Sequence, residues 1–380
     1  VPRPPQPIRP ILIFSLPAAC TARGAIAAAK AVCFKNSRRL DGFMKKDVDG
    51  FRGQVNHQGN RRDMTFPAGK LFLMDHTLSR RRFFGVSVTA LATSPTWLQA
   101  QSNEPTRFQL ACMTLPYGQF PLKRALQGIR AAGFDYVAWG TSHRETPGCD
   151  RVPILATDAP THRAKALGQE CRDMGLTPLM MFSTVYPEHK DGLQILAHRL
   201  KQASAAGIPQ LLTFGHTQGG NRLVWVERFK QLGPIARDLG VTLVLKQHGG
   251  ETGTGEACAE IIREVNDTGV RVNYDAGNVM DYLNVDPIPD IQKCADVVHS
   301  FCMKDHRNWP EDRDCGPGWG EIDHYRLLHP VAWTGRAMPL CCENIFKPLL
   351  PRPEQPEGID ELARSVREYL QTVITGLKTL

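Results

Sequence analysis

Four short apolar runs in the last 140 residues each end in a cluster of ionisable or amide side chains. Val241-Thr-Leu-Val-Leu leads into Lys246-Gln247-His248, and Val270-Arg-Val-Asn-Tyr into Asp275-Ala-Gly-Asn278. Val297-Val-His-Ser-Phe leads into Cys302-Met-Lys304-Asp305-His306, and Met338-Pro-Leu-Cys-Cys into Glu343-Asn344. Apolar runs of this length, rich in Val and Leu and separated by helical stretches, read as buried parallel strands. Polar groups gathered at the carboxyl ends of successive parallel strands are where an α/β barrel keeps its chemistry.

The pattern extends upstream. Candidate strands fall at 108–113, 136–139, 178–182, 210–214, 241–246, 270–274, 297–303 and 340–343. Amphipathic stretches near 121–132, 160–174, 189–206, 222–239, 255–267, 286–295, 323–329 and 357–376 predict helices between and after them. Gly133, Gly175, Gly207, Gly240 and Gly269 each precede a strand, where a left-handed cap would end the preceding helix. Eight strand–helix units predict a single-domain (β/α)8 TIM barrel over 106–376. A doubly wound open sheet is the alternative, but no Gly-x-Gly-x-x-Gly follows the first strand. Period-two alternation puts Lys246 with His248, Cys302 with Lys304, Cys341 with Glu343, and Asn273 with Asp275 on shared faces.

The chain carries a formal charge of +8 over 380 residues, unevenly placed. Residues 1–100 hold 16 Lys+Arg against 5 Asp+Glu, whereas 101–380 hold 30 against 33. The body is mildly acidic, so the overall basicity gives no argument for a nucleic-acid partner. Ser79-Arg80-Arg81-Arg82-Phe83-Phe84, a short uncharged run from Gly85 and a small residue at Ala100 form a secretory signal of the twin-arginine type over 74–100. That predicts export to the periplasm or cell envelope. Its apolar run is too short for a membrane span, which needs about 20 residues. Residues 1–73, Pro-rich and without sustained apolar periodicity, are expected to be mis-annotated upstream sequence or a disordered extension. Nine cysteines follow residue 100, none in a Cys-x-x-Cys pair. A structural zinc site is therefore disfavoured, and most of these thiols read as small core residues.

Taken together, Lys246-Gln-His-Gly-Gly250, Asn273-Tyr-Asp-Ala-Gly-Asn278, Cys302-Met-Lys-Asp-His306, Gly318-Trp-Gly-Glu-Ile-Asp323 and Cys342-Glu-Asn344 resemble the sugar phosphate isomerase/epimerase group with its xylose isomerase-like barrel. That group includes ketose 3-epimerases, inosose dehydratases and relatives of endonuclease IV. The resemblance implies a divalent metal held by a Glu, an Asp, a His and a Glu ending strands five to eight, with the glutamates as acid and base. Asp275 and Glu343 match. Lys246 stands in the fifth-strand position, Cys302 in that of the His, and Asn278 where a His often follows the Asp.

A protonated lysine cannot ligate a metal. Three readings stay open. A Zn, Mn or Mg ion is held by a shifted set of Asp275, Glu343, His248 and Cys302. Or Lys246 replaces the metal and polarises a substrate carbonyl. Or the barrel binds sugar without catalysis. In the first two, Glu343 is the base beside an acidic C–H, Lys246 or the metal the electrophile, and His248 a proton shuttle. Trp139, His216, Asn278, Lys304, His306 and Trp319 are candidate substrate contacts, with Lys304 and Asp305 forming a rim ion pair. The expected partner is a small sugar or sugar derivative, isomerised or epimerised, or undergoing elimination as in a dehydratase or lyase. No Walker loop or Gly-x-Ser-x-Gly elbow is present, which disfavours phosphoryl transfer and serine hydrolysis. A metal-dependent nuclease is disfavoured by the acidic body and the missing His and carboxylate ligands.

Overall fold

The apolar runs fold as eight strands: β1 Arg107–Met113, β2 Tyr136–Trp139, β3 Thr177–Phe182, β4 Gln210–Phe214, β5 Thr242–Lys246, β6 Val270–Tyr274, β7 Val298–Met303 and β8 Ala337–Cys342. Each pairs in parallel with the next, and β1 pairs with β8, so the sheet closes on itself. This computed structural model describes residues 104–378. The expectations for 1–73 and for the signal over 74–100 lie outside the described residues. No described helix is long and apolar enough to cross a membrane.

Among the described residues, nine α-helices accompany the strands: α1 Leu122–Ala131, α2 Thr161–Asp173, α3 Gly192–Ala206, α4 Arg222–Asp238, α5 Gly255–Val265, α6 Ala276–Leu283, α7 Pro287–Gln292, α8 His324–Leu328 and α9 Pro356–Leu377. The last shows why they pack as an outer ring. Its buried residues Ile359, Ala363, Val366, Leu370, Ile374 and Leu377 recur every three or four positions, forming one apolar stripe. The main core lies between strands and helices, and a smaller one fills the barrel with Ala111, Met113, Met180, Leu212, Val244, Cys302 and Cys341. These lumen residues belong to the inward parity of their strands, which continues upward to Lys246 and Glu343.

Two details differ from the sequence reading. Gly133, Gly175, Gly207 and Gly240 adopt positive φ, but Gly269 does not. The left-handed cap of α5 is Asn266, and a Cβ on Gly269 would meet the Gly233 carbonyl oxygen at 2.1 Å. Close approach, not backbone conformation, demands that glycine. Helix α6 was not foreseen, because Asp275-Ala-Gly-Asn278 reads as a functional cluster. Asp275 also caps α6, its carboxylate accepting from Asn278 N at 3.0 Å.

Candidate active site

Lys246, the last residue of β5, reaches the barrel mouth with only 2% of its surface exposed. Its Nζ donates to Glu343 Oε1 at 2.9 Å and Oε2 at 2.7 Å. Asp275 Oδ2 lies 2.9 Å from the same nitrogen, as an ion pair without hydrogen-bond alignment. Asp275 is fully buried, and its backbone N–H is held by Gln247 Oε1 at 2.7 Å. Glu343 follows the end of β8 and donates its own N–H to Met303 O on β7 at 2.9 Å. Backbone pairing thus fixes both carboxylates around one ammonium.

These contacts decide the charge states. Burial opposes the Lys246 ammonium, but Glu343 and Asp275 outweigh it and hold its pKa well above the ordinary lysine value. Burial also opposes the Glu343 carboxylate, yet Lys246 and Lys304 take its pKa down to about 2. For Asp275 burial wins over the same two lysines and pushes the pKa up to about 6. Burial and then the Lys246 charge lower His248 to about 4. His248 Nδ1 lies 2.8 Å from Gly215 O, so the neutral ring donates from Nδ1 and leaves Nε2 as a base.

Lys304 continues β7 and is buried against Asn278 Oδ1 and Asp314 Oδ2, the latter at 2.6 Å. The expected Lys304–Asp305 rim pair is therefore corrected. Asp305 instead accepts from the N–H groups of His306, Gly318, Gly320 and Ile322, so it shapes a loop rather than neutralising a lysine. Asn278 donates to Gln247 O at 2.6 Å, which commits both ends of its amide to the protein. His306 Nδ1 lies 3.1 Å from Asp314 Oδ1, on the same carboxylate that accepts from Lys304 through Oδ2. A cavity of about 180 Å³ beside Glu343 and Lys304 is also lined by Asp314, Asn344, Phe346 and Arg352.

The two tryptophans do not line that cavity. Trp139 is 1% exposed, in the strand–helix layer, with its indole N–H directed at Cys171 Sγ of α2. Trp319 packs on the same layer and under Lys347 Nζ. Aromatic surface near Lys246 comes from residues the sequence reading passed over. Phe182 and Phe214 end β3 and β4, Lys246 Nζ lies 5.5 Å from the Phe182 ring, and Phe214 packs on His248. Tyr186 stacks on His216, whose Nε2 lies 3.0 Å from Glu188 Oε1. Strand parity pointed to Phe182 and Phe214, since both follow inward Met180 and Leu212 by two residues. Asp314 carried no such signal, because a hairpin brings it in from outside the barrel.

Asp275, Cys302 and Glu343 place one possible ligand atom each within 4.8 Å of the others, whereas His248 is not in this group. Eight parallel strands, with carboxylates and this ligand-type trio at their carboxyl ends, agree with a sequence pattern matched over residues 126–369. The chain belongs to the xylose isomerase-like TIM barrel family. Among solved structures, a xylose isomerase-like TIM barrel protein from Mycobacterium smegmatis in complex with magnesium is 17% identical, with a TM-score of 0.54 over 70% of this chain and 97% of that one. An L-ribulose 3-epimerase is 15% identical, with a TM-score of 0.54 over 71% and 95%. A probable 3-DHS dehydratase from Bacillus anthracis is 11% identical, with a TM-score of 0.50 over 69% and 98%. The chain spans 43% of a fusion protein that joins such a barrel to 4-hydroxyphenylpyruvate dioxygenase. No curated protein matches it in sequence. At these identities, the likeness to this xylose isomerase-like barrel is one of fold.

Proposed function

We propose that the protein isomerises or epimerises a sugar or sugar derivative through an enolate, with the Lys246 ammonium as the electrophile. The observation that carries this reading is Nζ of Lys246 held between Glu343 and Asp275, at 2.7 Å and 2.9 Å, at the carboxyl ends of the strands. The Asp275–Cys302–Glu343 trio has the donor atoms for a metal. A divalent ion bound to both carboxylates would sit against a protonated Nζ, and their repulsion makes joint occupancy unfavourable. Burial also holds the Cys302 thiol well above its usual pKa, so it is a protonated, poor ligand. The trio with charged Lys246 does not fit a divalent ion.

In the proposed reaction Glu343 takes the proton from the carbon next to a carbonyl. The C–H pair moves into the new C–C double bond, and the carbonyl pair onto oxygen, where a Lys246 N–H meets the developing charge. A carboxylate held at about pKa 2 is a weak base. As Nζ turns toward the substrate oxygen, Glu343 loses part of its counter-charge and its proton affinity rises. Neutral His248 then moves a proton between substrate oxygens through Nε2. Glu343 returns the proton to the neighbouring carbon to give an isomer, or, once the enolate has turned over in the site, to the opposite face of the same carbon to give an epimer. Loss of a β-hydroxyl from the same enolate would give elimination.

Incubating the protein with a panel of ketoses in deuterium oxide tests this by exchange at carbon. Incorporation is expected, and Glu343→Gln should lower it about 10²–10⁴-fold. Undiminished exchange in that variant, or sugar binding without exchange across the panel, would sink the proposal. The latter result would favour a sugar-binding barrel.

A further inference from the structure

A second group of ligand-type side chains meets at the rim, and it shares no residue with the Lys246 cluster. Asp281 of α6, with His306 and Asp312 of the hairpin after β7, bring one donor atom each within 4.8 Å of the others. His306 is 0% exposed, and its two nitrogens have different surroundings. Nδ1 lies 3.1 Å from Asp314 Oδ1, an atom that only accepts, so Nδ1 carries the proton. Nε2 is buried without a hydrogen-bond partner, although Asp312 Oδ1 stands 3.1 Å away as a contact of opposite charge type. With the ring neutral, an imidazole lone pair and a carboxylate oxygen face each other, and Asp281 adds a second carboxylate. Among the described residues, no Lys or Arg makes a salt bridge with Asp281 or Asp312. The space asks for positive charge, either a proton or a cation.

We propose that Asp281, His306 and Asp312 bind a divalent cation of the zinc class, with Asp314 orienting His306 from behind. One imidazole and two carboxylates leave a fourth position for water, a donor set zinc accepts. A carboxylate on the far nitrogen of a ligating histidine fixes its tautomer and raises its basicity. Asp312, with 69% of its side chain exposed, gives the ion a route from solvent. The bound ion ties α6 to the hairpin. Because Asp314 also holds Lys304, loading the site steadies a lysine of the candidate active site.

The test uses the full chain, stripped with a chelator. It is titrated with Co²⁺ by absorption and with Zn²⁺ by equilibrium dialysis. One saturable equivalent is expected, with cobalt bands of a nitrogen–oxygen site and no thiolate charge-transfer band. Asp312→Asn, at an exposed position the fold tolerates, should weaken binding about 10-fold or more, and Asp314→Asn about 10–100-fold. Cys302→Ser should leave binding unchanged, and thermal melts of each variant separate lost binding from lost folding. Absence of saturable binding overturns the assignment and leaves His306 as an imidazolium paired with aspartates. So does binding that survives Asp312→Asn but disappears, with its thiolate band, in Cys302→Ser.

Discussion

Lys246 is a cation buried where the fold gathers carboxylates, and its removal takes from Asp275 and Glu343 the one ammonium in ion-pair contact with both, leaving the Lys304 charge to act on them from beyond contact distance. Breaking a buried pair from one side costs about 3–5 kcal/mol, so Lys246→Met should lose that much in urea unfolding at pH 7. The deficit should shrink toward pH 4, as the stranded carboxyls take up protons. His248 and Asp275 pull stability in opposite directions. The folded His248, at about 4, binds fewer protons than an unfolded histidine, so its contribution is present above about pH 6.5 and fades as pH falls toward 4. Asp275, raised to about 6, contributes most below about pH 4 and loses that as pH rises to 6. Wild type should therefore lose about 1–2 kcal/mol relative to His248→Gln between pH 7 and pH 5. A constant difference between the two unfolding curves would refute this. Lys246, Asp275, Cys302 and Glu343 were legible as a group because strand parity fixes which side chains point into a barrel. Trp139 was not. Its strand was correctly placed, but its parity turns it outward, and ring chemistry alone says nothing about facing.

Asp305 sets the shape of the segment after β7. Its two oxygens accept four backbone N–H groups, from residues 306, 318, 320 and 322, and the side chain is buried. Asp305→Ala strands those donors, and unsatisfied buried groups cost about 1–3 kcal/mol each before local relaxation or water entry. A net loss of about 2–4 kcal/mol is expected, with faster amide exchange confined to residues 306–322. Uniform exchange across the chain would point to a different role. The eight strands and most helices could be read from apolar runs because local pattern and global architecture agree. Helix α6 could not, because its first turn carries Gly277 and its N-cap, Asp275, reads as part of a candidate site cluster. The glycine follows from tertiary packing: a Cβ there would lie 2.6 Å from Lys304 Cγ and Cε. Such a contact has no trace in nearby sequence.

Across the whole molecule the cysteines connect the fold to the export we propose from the twin-arginine-type leader. All nine described cysteines are free, and only Cys149 is exposed. Burial pushes the thiols of Cys112, Cys258, Cys294, Cys302, Cys341 and Cys342 upward in pKa, so the nucleophilic thiolate is scarce as well as inaccessible. A chain threaded unfolded into an oxidising compartment would expose all nine thiols to pairing, including the vicinal Cys341-Cys342. A chain exported folded would keep them shielded. Protein recovered from the cell envelope, alkylated under native conditions and mapped by peptide mass, should show rapid modification at Cys149. The other eight should react only after denaturation without reductant, and the first residue of the mature chain should follow Ala100. Mixed disulfide peptides among the buried eight would exclude export in the folded state, even if the cleavage site were confirmed. The barrel would then have to reach its reduced core by a later reduction.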